Sequence, residues 1–543
     1  MSAPAGTFDY VIVGAGTAGC LLADRLTEDG RHSVCVLEAG PRDRYPFIHM
    51  PAGYIKTLVN PKYTWTFTSE PSEGTADRRI PATQGRTLGG SSSINGMCYN
   101  RGQRADYDSW AQRGNPGWSY DDLLPLFRRT ERRVGLADDT YRGRGGALPV
   151  TDLDWPHPLC DAFIAGAQEL GIPRNDDYNG ATQAGTGIYQ RVIEGGRRKS
   201  SARNFLGPAS KRPNLTVMTE ATAQRILFDG KRAVGVAVLR PDGTVQEIRA
   251  RCEVVLSCGS LNSPRLLQIS GVGPAALLGV LGAPVVHALP GVGEGLQDHW
   301  AIRATARVKG VRTINRMVRG LPLAAELAKY AMRRPSVLSL SPSLAFVFWK
   351  SDPALELPDL QFTFAPASFS GGIAGLLADY DGMTCGAWQQ RPESRGYVRA
   401  ESLDPREAPV VQPNYLSNET DRRVIIAGVR WTRRLMETKA MAPYLVGLES
   451  PGPEVTSDDE ILAYAKRLGS TVFHFISSCR MGPASDPNAV VGADLKVHGL
   501  DGLRVVDASI MPSMPSANTM AATYVIAEKG AEMIRAETRR AAA

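Results

Sequence analysis

The eight cysteines of this chain form no CxxC pair and no cysteine–histidine cluster at zinc spacing. They lie at 20, 35, 98, 160, 252, 258, 385 and 479, and read as buried or free thiols in a reducing compartment. The seven histidines lack an HExxH motif and never pair at i, i+4, so the sequence offers no metal site. No run of roughly 18–20 uninterrupted apolar residues is present to span a bilayer. The first residues, Met-Ser-Ala-Pro-Ala-Gly, carry neither a charged n-region nor an apolar h-region, which makes the cytoplasm the expected location. Basic clusters with interleaved aromatics are missing, so nucleic-acid binding is not expected. The net charge of +7 is a small excess that leans toward anionic partners. Its densest run, Arg197-Arg198-Lys199 followed by Arg203, reads as a solvated loop. There are no internal repeats.

What is present is an ordinary folding composition, 43% hydrophobic and 22% charged, over a length that calls for two or more structural units. Phe8-Asp-Tyr-Val-Ile-Val13 reads as a buried strand. Gly14-Ala-Gly16-Thr-Ala-Gly19 follows at once, then a helix-period run with Leu21, Leu22, Ala23 and Leu26. A second apolar run, Val34 to Leu37, ends at Glu38. Each part has a job in a dinucleotide site. Gly14 permits the tight turn, Gly16 admits a pyrophosphate, and Gly19 packs the helix closely on the sheet. The helix N-terminus offers free N–H groups to phosphates. Glu38 lies 19 residues after Gly19, near the spacing of a carboxylate that bonds a ribose hydroxyl. The acid argues against a 2′-phosphate ligand, but the motif alone does not choose NAD from FAD.

Residues 85–102 read Gly-Arg-Thr-Leu-Gly-Gly-Ser-Ser-Ser-Ile-Asn-Gly-Met-Cys-Tyr-Asn-Arg-Gly. The small residues Gly89 to Ser93 let backbone touch a flat ligand, and Asn95 offers both donor and acceptor. Residues 259–273 read Gly-Ser-Leu-Asn-Ser-Pro-Arg-Leu-Leu-Gln-Ile-Ser-Gly-Val-Gly, and Gly291 to His299 closes on Leu-Gln-Asp-His. In this order, from about residue 7 to about 535, the sequence closely resembles the glucose–methanol–choline (GMC) oxidoreductases. Gly295 stands where that family usually has asparagine.

The resemblance implies FAD. It suggests Gly14, Gly16, Gly19 and Glu38 at the ADP half, with Leu88, Gly89, Asn95, Gly96, Met97 and Cys98 toward the flavin. Thr17, Ala18, Ala39, Arg86 and Ser92 complete the cofactor-binding set, and Ala223 marks the segment whose backbone meets adenine. The position that carries the flavin-linking histidine in some relatives is Ile94 here, so the FAD is expected to be non-covalent. His474, a few residues before Met481-Gly482, falls at the family's catalytic base, and Asn518 at its second catalytic position. Asp507 and Ala508 are placed on the ribityl–phosphate chain, and Thr519 and Met520 beside the flavin ring. A histidine with an unperturbed pKa of about 6.5 suits proton abstraction near neutrality. An asparagine cannot take that proton but can hold the hydroxyl. His299 and His498 read as structural residues in turns.

The fold expected is α/β (α+β overall): a discontinuous, Rossmann-like FAD-binding domain and a substrate domain with an antiparallel sheet. The FAD domain takes 1–310, with a substrate-domain excursion at 156–199, and 455–543; the substrate domain takes 311–454. Trp65 and Phe473, near the motifs, and Phe348 and Phe364, in strand-like segments, are candidate pocket aromatics. Lys329 to Pro335 reads as a solvated helix end, with peripheral membrane contact as the alternative. The activity implied is oxidation of an alcohol, primary by preference, to its aldehyde. The electron acceptor (quinone, cytochrome or dioxygen) stays open, as does the choice between monomer and homodimer. A dioxygen-using alcohol oxidase and a hydroxynitrile-lyase-like enzyme are the alternatives.

Overall fold

The computed structural model of the chain describes residues 6–370 and 376–542. Two seven-stranded sheets organise them. The first runs in the order Leu215–Met218, Val34–Leu37, Gly6–Val13, Val245–Leu256, Arg232–Leu239, Thr222–Asp229, with Leu503–Val505 also paired to Val245–Leu256. Its centre is parallel. Tyr10–Val13 and Val34–Leu37 are buried without a break, as strands covered on both faces must be. Helix Thr17–Thr27 packs on this sheet beside the C-terminal helix Thr519–Ala542. The buried Glu528 carboxylate fastens the two by an ion pair to Arg25 at 2.7 Å, and a second to Arg129 at 2.5 Å ties in helix Tyr120–Thr130.

The second sheet is antiparallel, in the order Leu445–Ser450, Trp300–Val308, Gly382–Gln389, Leu360–Ala365, Ala345–Trp349, Gly185–Ile188. Helix Glu419–Met436 covers one face with Val424, Ile425 and Val429. Period-two alternation gives the other face Arg303, Gln361, Thr363, Thr384, Gly386 and Trp388, which border the cavity described below.

Two stretches differ from the domain limits expected from sequence. Trp300–Val308, expected in the dinucleotide half, pairs with Gly382–Gln389 in the second sheet. Ser470–Thr471, also expected in the first half, pairs with Trp300–Ala301, and helix Asp458–Leu468 buries Ile461 and Tyr464 in the second core. The reason is pairing, which depends on residues far away in sequence. The basic segment after helix Gly320–Ala331 is exposed, as is most of that helix; its Glu326 is buried and holds Lys329 at 2.6 Å. Among the described residues no helix is long and apolar enough to cross a membrane.

Candidate active site

A long cavity of about 370 Å³ runs from the first glycine turn to the second sheet. At the turn, Gly14 has φ +100°, and a Cβ there would lie 2.5 Å from the Ser257 carbonyl oxygen. Helix Thr17–Thr27 starts at Gly16 with no side-chain cap, so its first N–H groups are left for a ligand. Gly14, Gly16, Thr17 and Ala18 border the cavity. Gly19 does not; a Cβ there would meet the Gly14 oxygen at 1.9 Å, so its role is helix packing. A second glycine loop closes on the first: a Cβ on Gly90 would lie 2.7 Å from Gly16 Cα. Gly90 and Ser91 line the wall beside Ser92, whereas Gly89 sits behind it and donates to the Ala15 carbonyl at 2.7 Å. Glu38 ends its strand in the cavity wall, next to Ala39, Ala221 and Ala223. Its carboxylate accepts from Ala15 N–H at 3.0 Å and Gly40 N–H at 2.8 Å. Burial pushes its pKa up to about 7, against the pull of those two bonds. Bare N–H groups, glycines where a side chain would intrude, and a buried acid at the end of the second strand fit a dinucleotide.

The middle of the cavity is walled by Ser257 to Ser260 and by Asp507 and Ala508. Asp507 braces this wall, accepting from Gly259 N–H at 2.9 Å, Ser263 Oγ at 2.6 Å and Ser509 N–H at 2.8 Å. Opposite lie Asn95, Gly96, Met97 and Cys98, with Thr519 and Met520. Asn95 Oδ1 takes a bond from Arg198 Nη1 at 2.8 Å, and Arg198 also donates to the carbonyls of Asn95 and Ile48. Arg198 is therefore no solvated residue. In the hairpin Ile193–Glu194/Arg197–Arg198 alternation turns Arg197 outward and Arg198 inward, where burial lowers its pKa to about 9.

Three more expected residues, Leu88, Arg86 and Phe348, lie off the cavity. Leu88 is in the first core. Arg86 stacks on Trp65 at 4.8 Å and helps hold that ring at the cavity. Phe348 has the parity of the cavity face, but Tyr178 and Tyr189 pack over it from the neighbouring segment. Phe364 touches the cavity floor while its ring stacks on Phe163 at 4.4 Å. Phe473 lines the cavity with φ +63°, a left-handed backbone that a bulky residue adopts only when held.

The holding group is Asp298. It accepts from Tyr415 Oη at 2.5 Å, from Thr471 Oγ1, and from the His474 N–H at 2.7 Å. Burial pushes its carboxyl up to about 6. The neighbouring His299 acts on the His474 side chain. His299 Nε2 lies 2.7 Å from the Gln390 carbonyl oxygen, and its Nδ1 lies 2.9 Å from His474 Nδ1. A carbonyl only accepts, so His299 Nε2 carries the proton and its Nδ1 is the acceptor. His474 must then donate from Nδ1, which leaves the lone pair on its Nε2. The other side agrees. Gln361 Nε2 donates to Asn518 Oδ1 at 3.2 Å, so the Asn518 amide N–H faces His474 Nε2, also at 3.2 Å. Burial lowers the His299 pKa to about 4, and burial followed by His299 holds His474 well below its ordinary value. Both rings are neutral at neutral pH, and His474 presents a free base to the cavity. His299 and Gln361 were missed as site residues; Leu-Gln-Asp-His was visible as a motif, but its reach to His474 was not. His498 is structural, contacting the Gly482 carbonyl.

Residues 8–301 and 392–527 match the N- and C-terminal parts of the GMC oxidoreductase family. The chain belongs to that family. It is 40% identical over 533 residues to an alcohol dehydrogenase (acceptor) of Pseudomonas putida, covering 97% of this chain and 95% of the relative. It is 38% identical over 536 residues to an oxygen-dependent choline dehydrogenase of Photobacterium profundum, covering 98% and 94%. The solved structure of pyridoxine 4-oxidase from Mesorbium loti superposes with a TM-score of 0.87 at 31% identity, covering 96% of this GMC chain and 98% of that one. Among the described residues no group of three or more metal-ligating side chains occurs.

Proposed function

We propose that this GMC oxidoreductase binds FAD in the glycine-lined half of the cavity and oxidises a primary alcohol to its aldehyde, with His474 as base. The observation that carries this is the His474 Nε2 lone pair, fixed by the His299–Gln390 chain and flanked by the Asn518 amide. His474 Nε2 takes the hydroxyl proton. The proton lands on a ring whose Nδ1–H already bonds to His299, so the imidazolium forms with a partner in place. Asn518 holds the hydroxyl oxygen by its N–H and is itself held by Gln361. FAD supplies the acceptor for the hydride. Ile94 at the cavity wall has no nucleophile, and denaturation in acid is expected to release yellow flavin into the supernatant. The decisive experiment is anaerobic mixing with primary alcohols. Bleaching of the flavin supports the proposal, and cyanide release from mandelonitrile without bleaching by any alcohol overturns it. Admitting air to the bleached protein then separates a dioxygen user from an enzyme that needs another acceptor.

His299 is a positioning residue. His299→Leu leaves the His474 Nδ1–H without an acceptor, and a hydrogen bond to a charged group is worth about 1.5–3 kcal/mol. The expected result is a fall in kcat/KM of about tenfold to a hundredfold. His299→Asn, which can still accept, is expected to recover part of it. The pH profile distinguishes this from general damage. In the wild type, kcat/KM rises with pH through a limb below the ordinary imidazole range, because His474 must lose a proton it holds weakly. That limb moves in His299→Leu. An unmoved limb with unchanged kcat/KM would leave His299 as packing only.

A further inference from the structure

Arg303 lies at the second-sheet end of the cavity, within Trp300–Val308 on the parity of His299. Its strand partner is Gly386, where a Cβ would come within 3.8 Å of Arg303 Cγ and 2.9 Å of Thr363 Oγ1. Glycine there lets the side chain lie along the sheet. Arg303 is half-buried; the fully buried Arg142 and Arg101 share Glu131, and Arg504 has Glu253. Arg198 and Arg265 lack one but donate to carbonyls. Among the described residues the Arg303 guanidinium has neither an ion pair nor a hydrogen bond, although a guanidinium brings five N–H donors. Tyr54, one of two tyrosines on which its charge acts (the other is Tyr464), also borders the cavity, and among the described residues its hydroxyl has no hydrogen bond. Burial draws the Arg303 pKa down to about 10, so the charge persists at neutral pH. The cavity's acids, Glu38 at the glycine end and Asp507 in the middle, are both bonded to backbone N–H groups.

From this cluster we infer that the substrate is an alcohol carrying a carboxylate, bound by Arg303 with Tyr54, a specificity that rests on the alcohol-oxidising reading of the same site. The sheet register sets the spacing. Ala301, Trp388 and Gln361 form one cross-strand row, and Gln361 holds Asn518. Arg303, Gly386 and Thr363 form the next row, two residues and about 7 Å along the strands. The carboxylate is thus separated from the carbinol by a spacer of several bonds. Trp65, Trp388 and Phe473 give the cavity flat, apolar walls. A para-substituted benzyl alcohol spans that distance. A guanidinium binds a carboxylate through two parallel bonds and repels a quaternary ammonium.

The test compares 4-(hydroxymethyl)benzoate, 4-methylbenzyl alcohol and choline on the FAD-loaded enzyme with an artificial acceptor. The readout is the ratio of kcat/KM for the first two, in which a general loss of activity cancels. The charged alcohol is expected to be favoured by about tenfold to a hundredfold, as for a charged hydrogen bond, with choline poorest. The ratio is expected to fall at least about tenfold in Arg303→Gln, with Arg303→Lys between them. Calorimetry with 4-methylbenzoate, which has no hydroxyl to oxidise, is expected to show binding that weakens by a similar factor in Arg303→Gln. A wild-type ratio at or below one, a ratio unmoved in Arg303→Gln, or choline as the best substrate overturns the assignment. Failure of every alcohol to bleach the flavin would instead overturn the alcohol reading, while the calorimetric difference still reports carboxylate recognition by Arg303.

Discussion

Replacing His474 with alanine is expected to lower kcat/KM for an alcohol by about a hundredfold to ten-thousandfold, the range for loss of a positioned general base. No other side chain can inherit the role. His299 Nδ1 faces the lost ring rather than the cavity, and its Nε2 proton is committed to the Gln390 carbonyl. Asn518 has no proton affinity at neutral pH. The flavin spectrum is expected to persist, because His474 makes none of the bonds that shape the glycine end, where Ala15, Gly40 and Glu38 are tied to one another. The backbone around residue 474 is also secured independently of the imidazole, by Asp298 accepting from its N–H and from Thr471. The measurement is steady-state turnover together with flavin content per chain. Near-normal turnover, or loss of flavin in step with activity, would remove His474 from the chemistry.

The parts of this site legible in the sequence are those whose chemistry is local. Gly14, Gly16 and Gly19 follow one another from the end of a buried strand into the first turn of a helix, and the period change alone announces the turn. Glu38 is one strand further on, at a distance fixed by the length of a βαβ unit. His474 and Asn518 were reached through resemblance, and the structure brings them to 3.2 Å. The groups that were missed act across the chain. His299 is 175 residues from His474 and joins it only because Trp300–Val308 pairs with Ser470–Thr471. Gln361 meets Asn518 over a separation of 157 residues. Arg198 was misread because a charge run looks solvated until a two-residue hairpin turns one member inward. Phe348 shows the converse failure: its strand gives it the parity of the cavity face, but no pattern in that strand announces that Tyr178 and Tyr189 will cover it.

The other large effect concerns Gly19, and it is best read against Gly16. Gly19→Ala puts a methyl 1.9 Å from the Gly14 carbonyl oxygen, far inside contact distance, and the obstacle is backbone that cannot rotate away. The helix must lift off the strand, carrying the first-turn N–H groups with it. Overpacking of this kind costs about 1–3 kcal/mol and occasionally more, so the apoprotein is expected to melt earlier and to retain almost no FAD. Gly16→Ala is different. Its φ of −80° is open to alanine, and among the described residues beyond its chain neighbours the added methyl meets the Ser257 oxygen at 3.7 Å, an ordinary contact. The methyl enters the cavity instead, so apoprotein stability is expected to stay within about 0.5 kcal/mol of wild type. FAD affinity is nevertheless expected to drop about tenfold or more, because close backbone approach is what the second glycine of this turn provides. Thermal melts of the apoproteins and flavin titrations separate the two roles. Equal destabilisation by both substitutions, or full FAD affinity in Gly16→Ala, would show that the turn shapes the sheet without touching the cofactor.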